Sequence, residues 1–356
     1  TTTTTTEAPT VWNIVMLTDV GTITDKSFNQ GTWEGVAAFA DENDITHMYF
    51  RPNAGTQADY EEAIDLVVAN GANVVVTPGF LFETAIYTKQ TEYPDVHFIL
   101  IDGTPHTPDY ATFYTAPNTT CILFQEEQSG FLAGYGAVAE GFTNLGFMGG
   151  MEVPAVQRFG IGYVAGAFYA ANELDKTITF SADRYEYLGN FDNDPAHTTK
   201  AESWYAAGVQ VIFAAAGGAG LAVMAAAENS TDATVIGVDV DQANLSDTVI
   251  TSAMKRLAVA VQQELTSIII DGEGHGGEVL NKGAAEDAVG LPLDEASWRF
   301  QVFTQTEYEA IFALVQDGTI VVPATETDLG TFLADECGDP AGLTNLVAKT
   351  MTEPAA

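Results

Sequence analysis

Asp19-Val20-Gly21-Thr22-Ile23-Thr24-Asp25-Lys26-Ser27-Phe28-Asn29-Gln30-Gly31-Thr32-Trp33 follows the apolar run Val11-Trp12-Asn13-Ile14-Val15-Met16-Leu17. A buried strand that ends in an acid, then a glycine-containing loop, then a polar run with one aromatic puts Asp19, Ser27, Phe28 and Asn29 at the carboxyl edge of a sheet. Open α/β folds bind small ligands at that edge. Asp accepts hydrogen bonds from hydroxyls, Asn both donates and accepts, and Phe stacks on flat rings. The stretch therefore suits a neutral, hydroxyl-rich ligand with a flat ring, and it suggests recognition more than chemistry.

Outward from this stretch, short apolar runs alternate with amphipathic ones, the pattern of a doubly wound parallel sheet. The first half predicts strands at 12–17, 46–50, 73–77 and 97–101, with helices near 31–42, 58–70 and 80–91. The second half repeats the rhythm with strands at 145–149, 180–187, 209–214 and 234–239 and helices near 158–173, 195–207 and 219–228. A hinge crossing is expected near 124–128, between Cys121-Ile122-Leu123-Phe124 and a helix holding Gly130-Phe131-Leu132-Ala133-Gly134. A helix is expected over about 253–271, a strand-like segment at 300–303 and a helix at 306–316. The division is a Thr-rich tether over 1–10, a first lobe of 11–125 with about 253–300, and a second lobe of 126–252 with about 301–345.

At 356 residues the chain can build two cores, and no apolar stretch approaches the roughly 18 residues that span a bilayer. The start, six Thr and then Glu7-Ala8-Pro9-Thr10, cannot build a core and reads as a disordered tether, left after an upstream signal peptide or lipid-anchor Cys was removed. With 49 acidic and 12 basic residues, the formal charge of -37 argues against nucleic acid, anionic membrane surfaces and polyanionic ligands. Such an excess of acid suits a protein bathed in high salt, where screening relieves self-repulsion. Cys121 and Cys337 make no disulfide framework or zinc knuckle, though a single bridge between them is open.

None of the five histidines has a partner at metal-ligand spacing, so no metal or other cofactor is expected. Asp239-Val240-Asp241-Gln242-Ala243-Asn244 lacks the glycine and the terminal glutamate of a calcium loop. Asp239 instead ends the apolar run Val235-Ile236-Gly237-Val238 and should face a cleft as Asp19 does. Ala214-Ala215-Ala216-Gly217-Gly218-Ala219-Gly220 matches neither the dinucleotide fingerprint nor the Walker A pattern. Gly217 and Gly218 either pack a helix tightly on its sheet or bring bare backbone up to a ligand. No nucleophile elbow occurs, and no catalytic residue is assigned. Lys255, one of few basic residues, is either a solvated surface lysine or a donor to ligand oxygens.

Together these pieces resemble the basic-membrane-protein family of extracytoplasmic lipoproteins, which includes purine nucleoside receptors that feed ABC importers. The resemblance is carried by Thr18-Asp19, Asp25-Lys26-Ser27-Phe28-Asn29-Gln30, Trp33-Glu34-Gly35, Ile101-Asp102-Gly103 and Phe131-Leu132-Ala133-Gly134. In the second half it is carried by Ala215-Ala216-Gly217-Gly218-Ala219-Gly220, Gly237-Val238-Asp239-Val240-Asp241-Gln242 and Thr251-Ser252-Ala253-Met254-Lys255. It implies a type I periplasmic-binding-protein fold, two doubly wound α/β lobes joined by a three-crossing hinge that closes on the ligand. It also implies that Phe28 stacks on a base, that Asp19, Asn29 and Asp102 are polar contacts, and that Asp239 and Lys255 hold ribose hydroxyls. Phe191 is the candidate second aromatic, with a plain packing role as its alternative. The implied partners are a nucleoside and an ABC permease, with the chain monomeric, non-enzymatic and held at the membrane only by an N-terminal lipid anchor. The rival readings are a sensory lipoprotein, a receptor for a free purine base or ribose-like sugar, and a nucleoside hydrolase.

Overall fold

The computed structural model describes residues 11–338, 340 and 342–350, so the expected tether over 1–10 lies outside the described residues. In chain order the elements are β1 (Asn13–Leu17), α1 (Phe28–Glu42), β2 (Thr46–Phe50), α2 (Gln57–Ala69), β3 (Val74–Pro78), α3 (Glu83–Glu92), β4 (His97–Ile101), β5 (Thr119–Phe124) and α4 (Glu126–Glu140). There follow β6 (Leu145–Gly149), α5 (Pro154–Glu173), β7 (Tyr185–Tyr187), α6 (Pro195–Ala206), β8 (Val211–Ala215), α7 (Ala219–Glu228), β9 (Thr234–Asp239) and β10 (Val249–Lys255). The last are α8 (Leu257–Thr266), β11 (Val279–Lys282), β12 (Val289–Gly290), α9 (Gln305–Gln316), α10 (Glu326–Glu336) and α11 (Thr344–Thr350). Among the described residues no helix is long and apolar enough to cross a membrane.

The strands form two six-stranded sheets, ordered β11-β5-β4-β3-β1-β2 and β12-β10-β9-β8-β6-β7. Parallel pairing runs through both, with β12 antiparallel to β10 at the edge of the second. Runs such as Val74-Val75-Val76 are buried along their whole length, as expected of strands covered on both faces. The core of the first sheet gathers Val15, Tyr60, Val75, Phe82, Phe98 and Leu100; that of the second gathers Met148, Trp204, Ile212, Val223 and Val235. The chain divides into two compact units: 1–22, 32–122 and 260–280 in the first, and 23–31, 123–259 and 281–356 in the second. It thus passes between units at 122/123, 259/260 and 280/281, and residues 23–31 leave the first unit and return to it.

Several sequence expectations shift. The expected helix from 253 begins at Leu257, because Val249–Lys255 is one buried strand in which Thr251 and Ser252 are fully covered. Only Tyr185–Tyr187 of the expected strand 180–187 is regular, since Ala182–Arg184 forms a 3-10 turn. The segment at 300–303 is not a strand: the backbone N–H groups of Gln301, Val302 and Phe303 all donate to the Glu140 carboxylate, at 2.8 to 3.0 Å. Trp298, Phe300 and Phe303 pack edge to ring there. Cys121 and Cys337 are both buried and free, so no bridge joins them. Burial pushes both thiols up to about 12.

In the second unit α4 and α5 approach until backbone meets backbone. A Cβ at Gly162 would stand 1.9 Å from the carbonyl oxygen of Glu127, and one at Gly166 2.0 Å from that of Phe131. This contact sets Arg158 of α5 against the first turn of α4. Gly162→Ala should lower the unfolding free energy by about 3 kcal/mol, because the obstructing atom is backbone and cannot swing away. Gly330→Ala, in α10 with nothing near its missing Cβ, should be neutral or stabilising by up to about 1 kcal/mol. Chemical denaturation checks both, and equal stabilities for the two variants would contradict this packing.

Candidate functional site

Segment 23–31 is organised by Asp25. Its Oδ1 accepts from the backbone N–H of Ser27 at 2.9 Å and of Gln30 at 3.1 Å, and its Oδ2 accepts from Asn29 N and Asn29 Nδ2, both at 2.9 Å. One carboxylate thus caps the start of α1, meeting the backbone N–H groups of Asn29 and Gln30. Burial raises the Asp25 carboxyl in spite of these bonds. Asn29 is buried with its amide turned to Asp25, while the Ser27 hydroxyl donates to Asp239 Oδ2 at 2.5 Å. Gly31 lies against Val240 and Leu257, where a Cβ would stand 2.8 Å from the Val240 side chain. These ties group the Phe28 segment with the second unit, although the sequence reading gives Phe28 to the first lobe.

Asp239 is the last residue of β9 and Lys255 the last of β10, its neighbour in the sheet. Asp239 has a φ of 66°, a left-handed backbone that Asp tolerates better than most residues. Lys255 is only 4% exposed, and its Nζ lies 3.5 Å from Asp239 Oδ1 and 3.5 Å from Glu126 Oε1. Three rings surround the ammonium, with centroids at 4.6 Å for Phe28, 5.5 Å for Phe159 and 5.7 Å for Phe124. Cation–π attraction of this kind contributes about 2 kcal/mol where water is excluded. Of the two sequence readings of Lys255, the solvated surface lysine is ruled out.

Behind Lys255 lies a second layer that sequence reasoning missed. Glu126, fully buried at the start of α4, accepts from Arg158 Nε at 2.6 Å through Oε2 while its Oε1 faces Lys255. Arg158 Nε is also 3.8 Å from Glu127 Oε2. Burial, reinforced by the neighbouring Glu126 charge, pushes the Glu127 carboxyl up to about 7. Two cations, Lys255 and Arg158, thus face three carboxylates, and the raised Glu127 reduces the excess of negative charge in the cluster.

Phe191, Gly217 and Gly218 pack together within the second unit. The Phe191 ring covers glycine backbone in the second unit: a Cβ at Gly150 would stand 2.2 Å from it and one at Gly217 3.4 Å. Gly217 has a φ of +53°, and the carbonyl oxygen of Phe191 lies 2.9 Å from where a Gly218 Cβ would be. The bare backbone of the pair thus accommodates Phe191. Asp19 and Asp102 belong to the first unit. There Asp19 Oδ1 accepts from Gly21 N at 2.7 Å, and Asp102, one residue past β4, has a left-handed φ of 54° and donates its N–H to the carbonyl of Ile122 at 2.9 Å.

Comparison with known proteins agrees with this architecture. Basic membrane protein B of Borreliella burgdorferi is 30% identical over 331 residues, covering 90% of this chain and 90% of that protein. The ABC transporter nucleoside-binding protein BmpA of Lactococcus lactis subsp. cremoris is 28% identical over 331 residues, 87% of this chain and 88% of that protein. The crystal structure of an ABC transporter solute-binding protein from Aeropyrum pernix K1 superposes with a TM-score of 0.75 at 22% identity, over 95% of this chain and 99% of that one, and so shares its fold. The Bmp family model, that of PnrA-like ABC transporter substrate-binding proteins, matches residues 13–325, and the chain belongs to that family.

Proposed function

We propose that this chain captures a nucleoside, a purine nucleoside foremost, by hinge closure and hands it to an ABC permease without altering it. One observation carries the reading: a buried lysine ammonium held between two carboxylates and against the ring of Phe28. Charge-assisted hydrogen bonds from an ammonium or to a carboxylate are short, about 2.7 to 2.9 Å. A ribose hydroxyl that accepts from Lys255 and donates to Asp239 would supply two such bonds, each worth about 1.5–3 kcal/mol. Stacking on Phe28 adds about 1 kcal/mol beyond the area it buries. Asp19, Asn29, Asp102, Phe191, Gly217 and Gly218 complete the proposed set of contacts. The name of the Lactococcus relative, a nucleoside-binding protein, supports the same ligand class. The proposal places the protein outside the cytoplasm, as a monomer held at the membrane by a lipid anchor.

Calorimetric titration with inosine, guanosine and adenosine should give micromolar or tighter binding for at least one, with the nucleoside recovered intact. Phe28→Ala should weaken that binding about 30-fold, corresponding to ~2 kcal/mol. No heat with any of the three, from a folded protein, would sink the nucleoside reading; ribose binding as tightly as the nucleoside would make this a sugar receptor.

Stability should also report the Glu127 environment. Its folded-state value near 7 lies above the ordinary glutamate value of 4.5, so its contribution is fully present below about pH 4.5 and is lost as pH rises through 7. Glu127→Gln should therefore match the parent protein at pH 4 and exceed it at pH 8 by on the order of 3 kcal/mol. Denaturation across this range checks it, and a difference that does not change with pH would contradict it.

A further inference from the structure

We propose that Gln242 is a positioning residue for Phe28: its side-chain amide clamps segment 23–31 to β9 and so sets the ring of Phe28 over Lys255. The proposal rests on the reading of Phe28 and Lys255 as ligand contacts. Gln242 is 2% exposed and lies in the loop between β9 and β10. Its backbone N–H donates to Ser252 Oγ at 3.0 Å, and its Oε1 accepts from the backbone N–H of Val238 at 3.0 Å. The first bond holds the Gln242 backbone and the second its side-chain amide on the sheet, and the amide's Nε2 donates to the carbonyl oxygen of Lys26 at 2.7 Å.

Two features show that the sequence is shaped around this clamp. Gly237 has no side chain where the amide lies: a Cβ there would stand 2.6 Å from Gln242 Oε1 and 2.7 Å from Ser252 Oγ. Lys26 has a φ of 61°, an uncommon backbone for a residue with a long side chain. Both of its backbone polar groups are met by side-chain amides, the N–H by Gln30 Oε1 at 3.2 Å and the carbonyl by Gln242. Two residues further on, the ring of Phe28 faces the ammonium. A strained residue persists when its surroundings over-determine it, and here they set the start of α1 and the direction of Phe28.

Gln242→Glu separates this role from simple loop packing. The carboxylate keeps an acceptor for Val238 N–H but sets an acceptor against the Lys26 carbonyl; once protonated, it donates again. At pH 8, hydrogen exchange of ligand-free protein should be at least ten times faster than in the parent over the 22–33 peptide in both Gln242→Glu and Gln242→Ala, with the β6 and β8 peptides unchanged. At pH 5 Gln242→Glu should recover protection and Gln242→Ala should not. Inosine affinity should follow the same order, at least tenfold weaker at pH 8 for both variants and regained at pH 5 only by Gln242→Glu. Parent-like protection over 22–33 in both variants at pH 8, or equal behaviour of the two at pH 5, would overturn the clamp. Lost protection in variants of a parent that binds none of inosine, guanosine and adenosine would support the clamp and overturn the nucleoside reading instead.

Discussion

The ammonium of Lys255 lies out of water, where an uncompensated charge would cost several kcal/mol, and much of the second unit is arranged to compensate it. Asp239 comes to it from the end of the neighbouring strand and Glu126 from the first turn of α4. Three aromatic rings turn toward it from different elements. At 3.5 Å the two carboxylates are close enough to stabilise the charge.

That arrangement depends in turn on a backbone contact well away from the lysine. Glu126 can be buried only because Arg158 meets its second oxygen, and Arg158 reaches it only because α4 and α5 touch through their glycines. Any side chain at Gly162 would drive the helices apart and withdraw Arg158 from both glutamates. Packing here sets electrostatics: the burial that raises Glu127 toward neutrality also reduces the excess of negative charge in the cluster.

Much of this was legible in the sequence because it is local. The apolar runs locate β1 to β4, β6, β8 and β9, and an acid at the end of a buried strand marks Asp239. The cap formed by Asp25 is as local, within five residues of its donors, yet the sequence reading did not assign it. Glu126 and Arg158 escaped because they are 32 residues apart and meet only through a helix contact that no spacing announces. Gln242 was hidden inside a fragment that looks like part of a calcium loop. The end of β10 was misplaced because Thr251 and Ser252 look like a polar break; both are buried, and Ser252 serves as acceptor for the Gln242 N–H. The helices over 326–336 and 344–350 lie beyond the last signal read in the chain.

The proposal makes Lys255 a contact for a ligand oxygen, and a crystal structure of the protein with bound inosine tests this most directly. It predicts the purine ring stacked on Phe28 and ribose hydroxyls within hydrogen-bond distance of Lys255 Nζ and Asp239. A nucleoside bound elsewhere, with Lys255 still enclosed by its own carboxylates and no ligand oxygen near it, would contradict the account.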